Sequence, residues 1–365
     1  MPGRIVLFGA TGYTGRLTAE ALVNRGLRPV LAARSRDRLE SLAADLDPAL
    51  ELAVADTARP ESIAALLEPG DALITTVGPF ARFGEAALEA AIAARATYFD
   101  STGEPAFVRK VFERFGPAAE RAGCGLVTAF GYDYVPGNLA AAIALRHASE
   151  RPHRMDVGYF VTGRPSWSGG TIASLAGALA APGFAFRDGR LVTEPNGRRL
   201  RSFELRGRRV SAISVAGSEH VSLPRLEPGL REVGVYLGFG GPLPRVLQGL
   251  SFPTGTLARA PLAGSALRAL TARMSGGSSG GPEPEARARI GTHVVALAYD
   301  RGERPLAEVG LDGQNPYAFT AALLAWGAER AADQGVEGAG ALGPVEAFGV
   351  EALEEGCREA GLARV

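Results

Sequence analysis

Residues 5–15 run Ile-Val-Leu-Phe-Gly-Ala-Thr-Gly-Tyr-Thr-Gly, an apolar run of strand length closed by glycines at every third position and followed by helical patterning. This arrangement leaves the backbone few options. Gly9 permits a tight strand-to-helix turn, Gly12 lets the backbone approach a ligand, and Gly15 lets the helix lie close to the strand. The first N–H groups of such a helix have no intrahelical partner, and the helix dipole favours negative charge beside them. Residues 9–15 therefore read as a dinucleotide-binding turn, with Gly9, Thr11, Gly12, Tyr13, Thr14 and Gly15 around a pyrophosphate. The spacing is G-x-x-G-x-x-G rather than the commoner G-x-G-x-x-G.

From this turn to Ala129 the chain alternates strand and helix. Strands are predicted at Ile5–Phe8, Arg28–Ala32, Leu52–Ala55, Asp71–Val77, Tyr98–Asp100 and Gly125–Ala129. Helices are predicted at Tyr13–Arg25, Arg36–Asp45, Gly84–Ala94 and Glu104–Ala122, the last broken at Gly116-Pro117, with a short helix after Asp56–Pro60. Strands joined by helical crossovers predict an α/β fold with a Rossmann-type, doubly wound parallel sheet. The rhythm changes after Tyr132. A helix at Pro136–His147 precedes extended stretches at Met155–Thr162, Arg208–Val215, Arg231–Phe239 and Arg289–Tyr299, with helical stretches at Thr171–Ala181 and Leu257–Ala272. This pattern predicts a second α+β domain on a mixed or antiparallel sheet. Helices at Tyr317–Asp333 and Val345–Ala360 close the chain. The expected organisation is a nucleotide-binding domain at 1–135, a substrate domain at 136–310, and C-terminal helices at 311–365 that pack back on the first domain. Gly276–Gly281 reads as a flexible connection.

Composition narrows the class of function. A chain of 365 residues that is 46% hydrophobic can bury a sizeable core. Its formal net charge of zero offers no general attraction to nucleic acid or to an anionic membrane. No apolar run is long enough to span a bilayer, and Met1-Pro2-Gly3-Arg4 lacks a signal-peptide layout, so a cytoplasmic protein is expected. Two cysteines, Cys124 and Cys357, and four histidines without ligand spacing predict no disulfide framework and no metal site.

The end of the second strand bears on the nucleotide. An acidic residue there bonds the ribose 2′-hydroxyl of NAD, but this strand runs into Arg34-Ser35-Arg36 with no carboxylate. Arg34 suits a 2′-phosphate, which a guanidinium grips in bidentate fashion, and Ser35 adds a hydroxyl. Arg36 and Arg38 add positive potential, and Arg38 also serves as an ordinary helix-surface residue. The expected cofactor is NADP(H).

The same glycine pattern occurs in extended short-chain dehydrogenases, which use a Tyr-x-x-x-Lys pair. Lys110 is the only lysine, and Ala106 stands four residues before it, so that pair is absent. Other motifs point elsewhere: Thr75–Gly84 containing Gly78-Pro79-Phe80, Tyr98–Glu104, and Phe130–Asn138 containing Tyr132-Asp133-Tyr134. With Gly9–Gly15 they resemble the saccharopine dehydrogenase-like superfamily, and most of all its trans-acting enoyl reductase branch from actinobacterial lipid biosynthesis. Gly338–Gly349 and Gly281–Arg287 are similar to that family as well. The resemblance is weak between residues 185 and 275. It implies an NADP-dependent reductase and a homodimer.

All three motifs lie at carboxyl ends of predicted parallel strands, where ligands bind in open α/β sheets. Gly78 and Pro79 bring backbone close to the cofactor, and Phe80 either covers the nicotinamide or fills the core. Asp100 and Glu104 could bond a ribose or a substrate amine, although Ser101-x-x-Glu104 also has capping-box spacing. Reduction of C=C or C=N needs a proton donor besides the hydride, and Tyr132, Asp133 and Tyr134 are the candidates. Glu104, Trp167, Thr171 and His220 are assigned to the substrate pocket, His220 being either a weak proton-transfer candidate or a solvated side chain. Few basic residues other than Arg164 are expected to converge there, which argues against a dicarboxylic amino acid. The expected reaction is NADPH-dependent reduction of an activated C=C bond in an apolar, polyketide-like or lipid intermediate. Imine reduction and a non-redox scaffold or cyclase are the alternatives.

Overall fold

The computed structural model describes residues 2–163, 183–238, 248, 290–313 and 315–365. They fall into two units, Met1–Leu139 with Pro316–Ala363, and Ala140–Asn315 with Arg364–Val365.

The first unit holds a wholly parallel sheet in the order β15-β6-β5-β4-β1-β2-β3. Its strands are β1 (Ile5–Phe8), β2 (Val30–Ala33), β3 (Leu52–Val54), β4 (Ala72–Thr75), β5 (Thr97–Asp100), β6 (Gly125–Val127) and β15 (Gly340–Ala341). β1, β2 and β4 are buried along their whole length, which is why they read as continuous apolar runs rather than alternating ones. The crossovers are α1 (Tyr13–Asn24), α2 (Arg36–Leu46), α3 (Pro60–Ala64), α4 (Phe80–Ala94), α5 (Pro105–Lys110) and α6 (Gly116–Ala122). A π-helical turn at Val111–Phe115 joins α5 to α6. α4 begins at Phe80, earlier than the sequence reading placed it, because Phe80 and Gly84 both face the core.

After β6, α7 (Val135–His147) carries the chain into the second unit. The chain returns to the first unit as α9 (Pro316–Gln334), α10 (Pro344–Phe348) and α11 (Val350–Glu359). α9 packs along α1, and its Trp326 joins Phe348 and Phe130 in an aromatic stack with centroids 4.9–6.5 Å apart. Gly327 and Gly356 make room for the stack, since a Cβ on either would lie 2.5 Å from an aromatic carbon. The final predicted helix is in fact two, separated at Gly349, whose φ of +73° no ordinary helical residue adopts.

The second unit is built on a mixed sheet. Its described path runs β10 (Leu200–Leu205), β11 (Arg208–Ser214), β12 (Glu232–Gly238), β7 (Arg154–Gly163), β13 (Ile290–Tyr299), β14 (Pro305–Gly313). Only the β12–β7 pair is parallel on that path. A hairpin of β8 (Phe184–Arg187) and β9 (Arg190–Thr193) hangs from β12. Val365, beyond the short terminal strand β16 (Leu362–Arg364), donates to Gly310 O at the outer edge of β14. α8 (Glu219–Leu226) lies beside β12. The hairpin, β10, β14, β15, β16 and α8 are absent from the sequence reading. The expected helices at 171–181 and 257–272 and the loop at 276–281 lie outside the described residues.

The stretch where few basic residues other than Arg164 are expected, 164–171, lies outside the described residues. Elsewhere in this unit basic residues converge: Arg154 and Arg201 meet buried Asp156 at 3.3 and 3.0 Å, and Arg187 lies 3.5 Å from Glu194 and 3.4 Å from Glu232. Arg154 also pairs with Glu303. Burial raises the Asp156 pKa, and Arg201 and Arg154 oppose that rise. Each guanidinium is already matched to a carboxylate, so the cluster presents no surplus of positive charge.

Candidate functional site

The site grows from the carboxyl edge of the parallel sheet. Gly9 leaves β1 with φ +93°, a conformation that favours glycine. A Cβ on Gly9 would lie 2.7 Å from Thr76 Oγ1, and one on Gly15 would lie 2.1 Å from Gly9 O. Both glycines are therefore required by close approach, and Gly15 sets how near α1 comes to β1. Gly9 N and Ala10 N donate to Ala32 O at 2.8 and 3.2 Å, and Gly12 N donates to Gly9 O at 3.0 Å. Thr76 Oγ1 donates to Gly9 O at 3.1 Å, a brace that sequence reading missed. α1 opens at Tyr13 with no side-chain cap and no acidic residue in its first turn. An uncapped helix end with an exposed glycine, Gly12, at its cap position fits a pyrophosphate. Thr11 and Thr14 flank it, both half-buried.

At the end of β2, Arg34 is exposed and no carboxylate pairs with it among the described residues. Arg36 differs, because it is bound to Glu40 at 2.9 Å. Ser35 is the N-cap of α2, its Oγ accepting from Arg38 N at 3.4 Å. Arg34 thus has a free planar donor set beside the glycine turn, the geometry a 2′-phosphate needs.

The loop after β4 contains a cis Gly78–Pro79 peptide. Gly78 and Pro79 are exposed, but Phe80 is 6% exposed and packs on Phe107 with centroids 5.7 Å apart. Phe80 is a core residue, and its ring does not cover the nicotinamide. Glu104 does not form a capping box with Ser101 either. Its carboxylate accepts from Phe80 N at 2.7 Å and Ala81 N at 2.9 Å, so it caps α4 rather than its own helix.

Asp100 is also occupied by structure. It is wholly buried and accepts from Thr128 Oγ1 at 2.7 Å, Ala129 N at 2.8 Å and Thr102 N at 2.9 Å. Burial raises its pKa and these three donors oppose the rise. It ties the ends of β5 and β6 together and, wholly buried, is closed to a ribose or an amine.

The turn after β6 carries the candidate acids. Tyr132 and Tyr134 are buried. Tyr134 Oη donates to Gly103 O at 3.1 Å, and Tyr132 N donates to Thr320 Oγ1 at 3.0 Å. Asn138 Nδ2 bonds Tyr134 O at 2.9 Å, so Asn138 packs and braces the turn. Asp133 is different. Its side chain is exposed to solvent, yet its Oδ2 lies against Gly103, where an added Cβ would come within 2.6 Å. Partial desolvation by the surrounding protein, despite the face it keeps toward solvent, pushes its carboxyl up to about 6. That value suits a group that gives and takes protons near neutrality. Tyr317, which no sequence motif marks, packs edge-on against Tyr13 and lies within electrostatic reach of Asp133.

His220 belongs to the second unit and is neither solvated nor open to a ligand. It is 1% exposed, its Nδ1 lies 3.1 Å from both Gly217 N and Gly217 O, and burial pushes its pKa down to about 4. Trp167 and Thr171 lie outside the described residues. A cleft within the first unit, about 720 Å³ in volume, is lined by Pro2–Ile5, Arg25 and Glu329. It opens at the amino ends of β1 and β2, opposite the glycine turn, and has no part in this chemistry. Among the described residues there is no cluster suited to a metal ion and no helix long and apolar enough to cross a membrane.

Comparison with known proteins agrees with this geometry. A family model described as NAD(P)H-binding matches residues 9–104. A trans-acting enoyl reductase of Mycobacterium tuberculosis is 32% identical over 200 residues, covering 52% of this chain and 48% of that protein. One from Mycobacterium leprae is 38% identical over 140 residues, covering 37% of this chain and 34% of that one. The chain thus spans at most about half the length of these two relatives. Saccharopine dehydrogenase (L-Glu forming) from Saccharomyces cerevisiae superposes over 100% of both chains with a TM-score of 0.60 at 12% identity, a likeness of fold. The chain is a relative of the trans-acting enoyl reductases, built on the saccharopine dehydrogenase fold, with an NAD(P)H-binding segment at residues 9–104.

Proposed function

We propose that this protein is an NADPH-dependent reductase of an activated C=C bond in an apolar, polyketide-like acyl substrate. The observation that carries the nucleotide choice is Arg34, exposed and without a carboxylate partner among the described residues, next to an uncapped glycine turn. The similarity to trans-acting enoyl reductases supports the choice of bond. When bound, the reduced nicotinamide supplies a hydride. Gly9, Gly12 and Gly15 hold the pyrophosphate, with Thr11, Tyr13 and Thr14 around it, and Arg34 with Ser35 holds the 2′-phosphate. Gly78 and Pro79 form the floor on the nicotinamide side.

Hydride addition at the β-carbon of an enoyl thioester moves the π electrons onto the α-carbon and carbonyl oxygen. One proton must then reach the α-carbon, and Asp133 in its acid form supplies it, directly or through water. Tyr132 and Tyr134 shape the turn that presents Asp133. The protein works as a homodimer, a reading that rests on the family resemblance.

Single-turnover mixing tests the reading. Enzyme preloaded with NADPH is mixed with a 2-enoyl thioester or with a cyclic imine, and loss of reduced-nicotinamide absorbance is followed. NADPH should be oxidised with the thioester. Oxidation with the imine alone, or with neither substrate despite tight NADPH binding, would contradict it.

A further inference from the structure

The loops after β4 and β5 are joined by a single carboxylate. Glu104 accepts from Phe80 N and Ala81 N, one on each oxygen, at 2.7 and 2.9 Å. Both donors belong to the first turn of α4, whose N-cap residue Pro79 supplies no side-chain acceptor. Negative charge is favoured at that helix end, and bonds to an ionised acceptor are about twice as strong as neutral ones.

Glu104 is itself held in place. Its N–H bonds Thr102 Oγ1 at 3.1 Å, and the neighbouring Gly103 O receives the Tyr134 hydroxyl at 3.1 Å. Phe80 is anchored in the core against Phe107. Gly78 and Pro79, just before this anchor, are the exposed part of the loop. Their position is therefore fixed from the loops after β5 and β6 through Glu104.

The strand order places this loop on one side of the glycine turn. Strand order reverses between β1 and β4, and ligands of open α/β sheets bind at such a switch. The adenosine side is served by β1 and β2, which carry Gly9 and Arg34. The nicotinamide side falls to β4 and β5.

We propose that Glu104 is a positioning residue that fixes the Gly78–Pro79 floor and so controls binding of the nicotinamide half of the cofactor but not the adenosine half. This rests on the NADPH reading above.

Calorimetric titration of the full-length protein tests it, with two ligands: NADPH, and adenosine 2′,5′-bisphosphate, which lacks the nicotinamide. Glu104→Gln keeps the shape but turns an amide toward one N–H. It should raise the Kd for NADPH by about tenfold and leave the fragment Kd unchanged. Glu104→Asp keeps both oxygens on a shorter arm and should fall between Glu104→Gln and the wild type. Unchanged NADPH affinity in both variants would overturn the proposal. So would equal losses for the two ligands, the mark of a merely structural residue. If the wild-type protein binds neither ligand, the NADPH reading itself fails. If the wild type binds both and the variants do not discriminate between them, only the role of Glu104 fails.

Discussion

The ring of Tyr317 stands edge-on to that of Tyr13, with centroids 5.3 Å apart and planes at 85°. Tyr13 heads α1 within the glycine turn, and Tyr317 is the second residue of α9, more than 300 positions away. The C-terminal segment therefore packs against the glycine turn. Burial, then the nearby Asp133 charge, raises the Tyr317 pKa, which keeps its hydroxyl protonated in the working range. An edge-on aromatic pair contributes about 0.5–1.5 kcal/mol. Tyr317→Ala should weaken NADPH binding about two- to tenfold in a fluorescence titration, and Tyr317→Phe should leave it nearly unchanged. Full affinity in Tyr317→Ala would remove Tyr317 from the site.

Arg34 should discriminate between the nicotinamide cofactors. A charge-assisted contact to a 2′-phosphate is worth roughly 1.5–3 kcal/mol. Arg34→Ala should therefore raise the Kd for NADPH by about 10- to 100-fold while that for NADH stays the same. Equal wild-type affinities for the two cofactors would contradict the assignment.

Asp133 should govern the pH dependence of reduction. Its carboxyl is pushed up to about 6 in the fold, above the value of about 3.9 for a free aspartate. The acid form that donates the proton is present below pH 6, so the single-turnover rate should fall as pH rises through that value. Asp133→Asn should be slow and lack this step. The folded state holds the proton more tightly than the unfolded state, so stability should also decline as pH rises from about 4 to 6 and level off above. Denaturant melts of Asp133→Asn should show that decline removed.

His220 should titrate stability in the opposite sense. Its folded pKa of about 4 lies below the 6.5 of an ordinary imidazole, so the neutral ring is favoured in the fold. Its contribution is complete above pH 6.5 and is lost as pH falls toward 4, a change on the order of 3 kcal/mol. His220→Gln should flatten this acid limb in urea melts while leaving NADPH affinity unchanged. An acid limb identical to wild type would show that the ring is not the group responsible.

Local pattern carried much of the first unit into view. β1 at Ile5–Phe8 and the start of α1 at Tyr13 match the sequence reading, because a fully buried parallel strand and a glycine turn each leave a continuous local signature. β15 was not legible, since Gly340–Ala341 is two residues long and pairs with β6 from far along the chain. The β8–β9 hairpin carries a local signal in its turn. Asp188-Gly189 turns with φ +50° and +78°, the conformation that an Asp-Gly pair favours in a tight hairpin.

The candidate site divides in the same way. The glycines and Arg34 lie in one local motif, whereas Glu104 has the spacing of a local cap and in fact caps a helix 24 residues earlier. Asp100 has the look of a ligand-binding carboxylate, but besides Thr102 N in its own loop it binds Thr128 and Ala129, which only the sheet brings near. Phe80 followed the core because its helix begins one turn earlier than the apolar periodicity suggested.

Isotope transfer tests the central claim most directly. NADPH deuterated at the transferable C4 position is incubated with the protein and a 2-enoyl thioester, and the product is analysed by mass spectrometry and NMR. The product should be a saturated thioester with deuterium at the β-carbon and solvent-derived hydrogen at the α-carbon. A saturated product without deuterium, or an unreduced thioester with NADPH bound at the glycine turn, would contradict it.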